Sequence, residues 1–216
     1  MSGELRQSDH VLARAYGDNS NDEDAFPLWS SSTTMKTRQV TRAVSTWSLH
    51  RTLGRFCADD TAFGGGPYLG SSGDGSGVSL IELIPSIARH GYGRLQICHF
   101  HLESREATYL KQLRETMATS GVAAEMLLVD DGDLTDPDIA GQLTWYRSWL
   151  DAAAQLGMTS VRIGAGRQAP TPERLEQRGR LLAQLAAEYP GMQLVTENWL
   201  ATTPNAASLL AVMDAA

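Results

Sequence analysis

Cysteine is scarce: the 216 residues contain only Cys57 and Cys98. They make neither a disulfide framework nor a paired metal-binding motif, so a reducing, cytoplasmic setting is the expectation. Long apolar runs are absent. No stretch reaches the roughly 18 apolar residues of a membrane-spanning helix. The amino-terminal MSGELRQSDHVLARAYGDNSNDED has no apolar core of the kind a secretory signal needs. No membrane partner is therefore expected. Positive charge is short, with 18 Lys+Arg against 25 Asp+Glu and a net charge of −7. Without a basic stripe no nucleic-acid partner is expected, because phosphate binding wants a basic face. Common catalytic signatures are missing as well. No Gly-Lys-Ser/Thr follows a glycine-rich loop, and no G-x-G-x-x-G opens a helix directly after a strand. No Gly-x-Ser-x-Gly elbow occurs, and neither cysteine has an obvious base beside it.

What is present is a globular composition, 42% hydrophobic and 20% charged, long enough for one sizeable core. Residues 1–40 are polar and irregular and read as an extension; residues 41–216 read as the folded domain. In that domain short apolar runs alternate with helical patterns. The strand-like runs are Ala43–Leu49, Arg94–His101, Val122–Val129, Ser160–Ile163 and Gln193–Thr196. Helical spacing marks 79–90, 104–119, 137–156 and 172–189, and a last helix starts near Pro204. Asp136-Pro137, Thr171-Pro172 and Thr203-Pro204 each put a capping side chain before a proline, the pairing that suits a helix start. Gly91, Gly121 and Gly157 follow helices, where a left-handed residue is wanted. Strand–helix alternation implies an α/β fold of parallel strands with outer crossover helices. One insertion, residues 63–77, holds seven glycines in fifteen residues and reads as a flexible loop or a lid.

In such folds chemistry gathers at the carboxyl ends of the strands. There this sequence places His50 and Arg51, then His99, His101 and Glu103, then Asp130, Asp131 and Asp133, then Arg162 and Arg167, and lastly Glu197 and Asn198. His99 and His101 are two apart, so on a strand they would face one side. Glu197 ends an apolar strand, where a carboxylate must be paired, hydrogen-bonded or bound to a cation. It is either a ligand and base or the ion-pair partner of Arg162. Arg162 and Arg167 could clamp a carboxylate or phosphate. The three aspartates belong to an acidic run that lacks the closing Glu of a calcium loop, and read more plainly as a polar loop.

These endings resemble a known family. STWSLHRTLG (45–54) and GYGRLQICHFHLESRE (91–106) look like the first and second strands, and WLDAAAQLGMTSVRIGAG (149–166) with GMQLVTENW (191–199) like helix three through strand five, of the sugar phosphate isomerase/epimerase group of xylose isomerase-like TIM barrels. The resemblance covers roughly residues 42–214 and implies a partial barrel of about five parallel strands, without the last three βα units. It implies a divalent metal (Mn²⁺, Mg²⁺, Co²⁺ or Zn²⁺) with Glu197 as the strand-five ligand, and His101 as a site histidine of the second strand. The remaining ligands would come from strands six to eight. Gln96 stands where many members have a Glu, and Trp199 where many read Glu-Asn-His.

The implied activity is metal-assisted proton transfer next to a carbonyl, through an enediolate, on a sugar or sugar phosphate. Glu197 and His101 would be catalytic; His50, His99, Arg162 and Asn198 would bind substrate. Two alternatives keep the fold. One is an inactive or partial barrel acting through self-association as a homo-oligomer, because open sheet edges invite pairing. The other is a metal-dependent phosphodiesterase or endonuclease of the same superfamily.

Overall fold

The computed structural model describes residues 41–53 and 77–216. The expected extension (1–40), Cys57 and nearly all of the glycine-rich loop lie outside the described residues. Five strands, β1 (Arg42–Ser45), β2 (Tyr92–Cys98), β3 (Ala123–Val129), β4 (Ser160–Ile163) and β5 (Gln193–Val195), form one sheet in chain order. Every neighbouring pair is parallel. A short α1 (His50–Leu53) follows β1, and α2 (Leu80–Arg89), α3 (Ala107–Ser120), α4 (Ile139–Gln155), α5 (Pro172–Glu188) and α6 (Ala206–Asp214) complete the alternation. Among the described residues the sheet stays open, with β1 and β5 as its edges. This is the architecture of a partial barrel.

Local chemistry sets most boundaries. Gly91, Gly121 and Gly157 each stop a helix with positive φ (79°, 68° and 76°), as expected. Thr171 caps α5 by accepting from the Arg174 N–H at 3.2 Å. The other two Pro-marked starts lie slightly later than expected. Asp138, not Asp136, caps α4, accepting from the Gly141 N–H at 3.0 Å. Asn205, not Thr203, caps α6 in a reciprocal box with Ser208. In each case a better-placed acceptor stands two residues downstream.

The sheet has two unlike faces. Leu95, Ile97, Leu127, Val129, Val161 and Ile163 alternate onto the outer face and are buried against the helices. Burying each such side chain contributes about 1.5–3 kcal/mol. Among the described residues the inner face carries a small buried apolar cluster of Cys98, Phe100 and Leu128 with Met126 packed on it. Polar side chains share that face. In β3 the register skips one residue: Leu95 pairs with Ala124 but Gln96 with Met126. The extra residue, Glu125, turns its carboxylate to Arg94 Nη1 and Gln96 Nε2, both at 3.3 Å.

Two strands end sooner than the apolar runs suggest. β1 stops at Ser45, whose hydroxyl accepts from the Trp47 N–H at 3.2 Å and starts a 3-10 turn over Thr46–Leu49. β2 stops at Cys98, and His99–His101 form another 3-10 turn. The cause is loss of the ladder. Past Ser45, the Cys98 N–H donates to Thr46 Oγ1 at 2.8 Å, a side chain in place of a carbonyl. His99 and His101 therefore do not share the face of a strand.

Thr46 is fully buried, and its hydroxyl also lies 2.9 Å from His101 Nδ1. It ties the end of β1 to the end of β2. Thr46→Val keeps the shape and strands a buried donor, so it is expected to cost about 1–3 kcal/mol. Urea unfolding of the two proteins measures this; an unchanged midpoint would remove the role.

Candidate functional site

A cavity of about 380 Å³ opens on the inner face at the carboxyl ends of the strands. Its floor is apolar: Cys98, Phe100 and Leu128. Burial pushes the Cys98 thiol up to about 11, with Asp130 adding to the effect. A thiol pushed that far up stays protonated at neutral pH. Trp47 and Trp199 stand at the cavity wall, 55% and 40% exposed, so both rings are free to stack on a ligand. Ser45, Ser48 and Gln96 add neutral hydrogen-bonding groups.

The charged part is a line of three side chains from the adjacent strands β3, β4 and β5 or their ends. Arg162, in the middle of β4, pairs in register with Leu128 on one side and Val195 on the other. Its Nη2 contacts Asp130 Oδ1, and its Nη1 lies 3.0 Å from Glu197 Oε1. Its guanidinium carbon is 5.8 Å from the centre of the Trp199 ring, within cation–π reach. A partly buried guanidinium needs such partners, because an unpaired charge on the inner face would be costly.

The loops that carry these groups are tied together. Thr203 Oγ1 donates to the carbonyls of Glu197 (3.0 Å) and Trp199 (2.8 Å), folding the β5 loop back on itself. Leu200 in that loop has φ of 62°, an uncommon conformation for a residue with a side chain. The buried Thr202 donates its N–H to the Gly166 carbonyl (3.2 Å) and its hydroxyl to the Gln168 carbonyl (2.8 Å). Gly166 has φ of 136°, and a Cβ there would come within 2.5 Å of Thr135 and 2.9 Å of Thr202. Only glycine fits where the three loops meet.

The histidines lie behind the cavity wall. His99 is buried between Phe100, Trp145 and Trp149. Its Nδ1 accepts from the Asp130 N–H at 3.2 Å, so the proton of the neutral ring sits on Nε2, 3.3 Å from Asp131 Oδ2. Hydrogen bonding to His99, with help from Arg167, holds the Asp131 carboxyl below the usual carboxylate range. Arg167 is occupied by Asp131 at 3.0 Å and does not reach the cavity wall. His101 is buried beside Thr46, with the His50 ring 6.3 Å away. Asn198 is exposed and is not part of the wall. Of the residues singled out from sequence, the structure brings Arg162 and Glu197 together, and sets His50, His99, His101 and Asn198 apart from them. Asp130, Gln96, Trp47 and Trp199 join the site. Period-two continuation of β3 from Leu128 turns Asp130 inward, but sequence alone does not show that Arg162 stands beside it.

The donors also bear on the metal that the family resemblance implies. Asp130 and Glu197 are the carboxylates of the cavity wall, and the guanidinium of Arg162 bridges them. Among the described residues no group of three His, Cys, Asp or Glu side chains is placed to hold an ion. These residues do not fit a divalent ion as they stand. No helix among them is long and apolar enough to cross a membrane.

No family model matches the chain, and no curated protein matches it in sequence. Solved structures do. The probable 3-DHS dehydratase AsbF of Bacillus anthracis, involved in petrobactin synthesis, aligns with a TM-score of 0.57 at 11% identity, over 82% of this chain and 59% of its own. A xylose isomerase-like TIM barrel/4-hydroxyphenylpyruvate dioxygenase fusion protein gives 0.54 at 20% identity, over 64% of this chain and 23% of its own. The 3-keto-D-glucoside 4-epimerase YcjR of E. coli gives 0.51 at 15% identity, over 63% and 59%. The chain thus spans about three-fifths of the dehydratase and of the epimerase. At these identities the likeness is one of fold: the chain has the strand and helix arrangement of part of a TIM barrel.

Burial, with His50 and His99 nearby, pushes the His101 pKa down to about 4. An unfolded histidine titrates near about 6.5. The native state therefore refuses a proton that the unfolded chain accepts. Stability is full above the unfolded value and falls as pH drops toward the folded one. Between about pH 7.5 and about pH 5 the expected loss is about 2 kcal/mol, absent in His101→Gln. Urea unfolding at the two pH values checks this; equal losses in both proteins would assign the proton elsewhere.

Proposed function

We propose that this barrel segment binds a neutral sugar at the carboxyl ends of its strands and moves a proton on the carbon next to the sugar's carbonyl, as an isomerase or epimerase does. The observation that carries the reading is the Asp130–Arg162–Glu197 line inside an aromatic-walled cavity. Arg162 supplies the electrophile. Its N–H groups hydrogen-bond the carbonyl oxygen and stabilise the negative charge that develops there as the enediolate forms. Glu197, partly open to the cavity, supplies the base that takes the proton and returns it. Asp130 holds the guanidinium from the other side. Trp47 and Trp199 offer flat apolar surfaces for the sugar ring, and Ser45, Ser48 and Gln96 offer partners for its hydroxyls.

Charge favours an unphosphorylated substrate. The cavity wall carries two carboxylates and one guanidinium, a net charge of minus one, and Arg167 is already neutralised by Asp131. A phosphate would meet repulsion there. The same balance weighs against the phosphodiesterase reading. His99 and His101 act from behind the wall as positioning residues. His99 fixes the backbone of Asp130, and His101 the turn that carries Trp47.

Proton exchange tests the reading without knowledge of the product. Incubated in D₂O with a panel of free ketoses, the protein is expected to introduce deuterium next to the carbonyl of one of them, read by proton NMR. Glu197→Gln should slow this by about 10²–10⁴-fold, the usual worth of a general base. Exchange on no sugar, together with no sugar-induced change in tryptophan fluorescence, would sink the reading.

A further inference from the structure

We propose that the cation of this site is Arg162 itself: its guanidinium takes the place between Asp130 and Glu197 that a divalent ion would need, and the site holds its ligand's oxygen atoms without a metal. The inference rests on the sugar reading for the identity of the ligand, and on geometry alone for the group that holds it.

The geometry is specific. Arg162 projects inward from the middle of a strand flanked on both sides, so its root is fixed by β3 and β5. One terminal nitrogen faces Asp130 and the other faces Glu197. An ion bridging the two carboxylates would compete for the oxygen atoms that the guanidinium occupies. It would also sit beside a group that does not lose its charge in proteins. Retreat of the arginine would break both ion pairs and its contact with Trp199. The neighbouring elements bring no further ligand to that point. His99 is turned to Asp131 and to the Asp130 N–H, and His101 Nδ1 to Thr46. β2 contributes the neutral amide of Gln96, whose nitrogen donates to Glu125 and whose one carbonyl oxygen does not complete a set of anionic or imidazole ligands. What remains for a ligand is a planar donor group with more N–H bonds than its two carboxylates use, backed by an aromatic ring. That group recognises a carbonyl or a pair of hydroxyl oxygens.

Manganese binding to the full chain, followed by electron paramagnetic resonance, tests this. Wild type is expected to bind Mn²⁺ more weakly than about 1 mM, and Glu197→Gln to leave that value unchanged. Arg162→Met frees two facing carboxylates and should gain at least about tenfold in Mn²⁺ affinity, a gain lost again in Arg162→Met/Glu197→Gln. Arg162→Lys keeps the charge and should gain nothing. Submillimolar binding by wild type that Glu197→Gln abolishes would overturn the proposal, and so would a folded Arg162→Met with no gain. If Arg162→Met fails to fold, the comparison of wild type with Glu197→Gln decides by itself. Deuterium exchange separates this from the sugar reading. Exchange that persists in EDTA supports both, and exchange that EDTA abolishes and Mn²⁺ restores overturns this inference while leaving the sugar reading intact. The expected Mn²⁺ pattern with no exchange on any sugar and no sugar-induced change in tryptophan fluorescence removes the sugar reading alone.

Discussion

A guanidinium rooted in the middle of a sheet has to be neutralised where it stands, and the inner face of this protein is arranged around that requirement. Arg162 has strands on both sides that fix its backbone, and its side chain is only partly exposed. Burying it becomes tolerable only with carboxylates at hand. Asp130 reaches it from the end of β3 and Glu197 from the end of β5. Three consecutive strand ends are thereby held to one point. The outer face has no such demand. There Leu95, Ile97, Leu127, Val129, Val161 and Ile163 pack against helices, and that burial supplies the bulk of the stabilisation. The strand period of two lets one sheet do both jobs.

Holding charges in place takes more than the charges themselves. The carboxylate of Asp130 is aimed by its backbone, and the backbone is held by a buried histidine. The turn bearing Trp47 begins at Ser45 and is locked by Thr46. The loop bearing Glu197 and Trp199 is folded by Thr203 and moored by Thr202 to the loop after β4. Asp130, Trp47, Glu197 and Trp199 thus each have a buried hydrogen-bonding residue behind them, the arrangement that preorganised sites require. The histidines belong to this supporting layer. Their burial beside aromatic rings and a threonine suits fixed hydrogen bonds better than proton exchange with a ligand.

Much of this could be read from residues in order. Apolar runs, proline-marked helix starts and glycine stops gave the alternation of elements and hence a parallel sheet. Glu197 and Arg162 stood out because a charge in an apolar strand demands a partner, and the partnership between them was one of the two readings the sequence allowed. What could not be read were contacts decided by the loss of a ladder. The apolar run through His101 looks like one strand, yet β2 ends at Cys98 because its partner strand has already turned away at Ser45. That single event moved His99 and His101 from a shared face into the supporting layer. Asp130 was hidden among its acidic neighbours. Only the register that places it beside Arg162 distinguishes it from Asp131 and Asp133, which serve Arg167 and the turn at Thr135.

Gly166 touches the loops that follow β3 and β5 from within the loop that follows β4. Three segments that would otherwise be free to vary in length share one contact point. An insertion in any of them would have to be absorbed by the other two. Diversification of this mouth is thereby steered toward exchanging the side chains that face inward, and away from the loop lengthening by which barrel scaffolds ordinarily acquire new specificities.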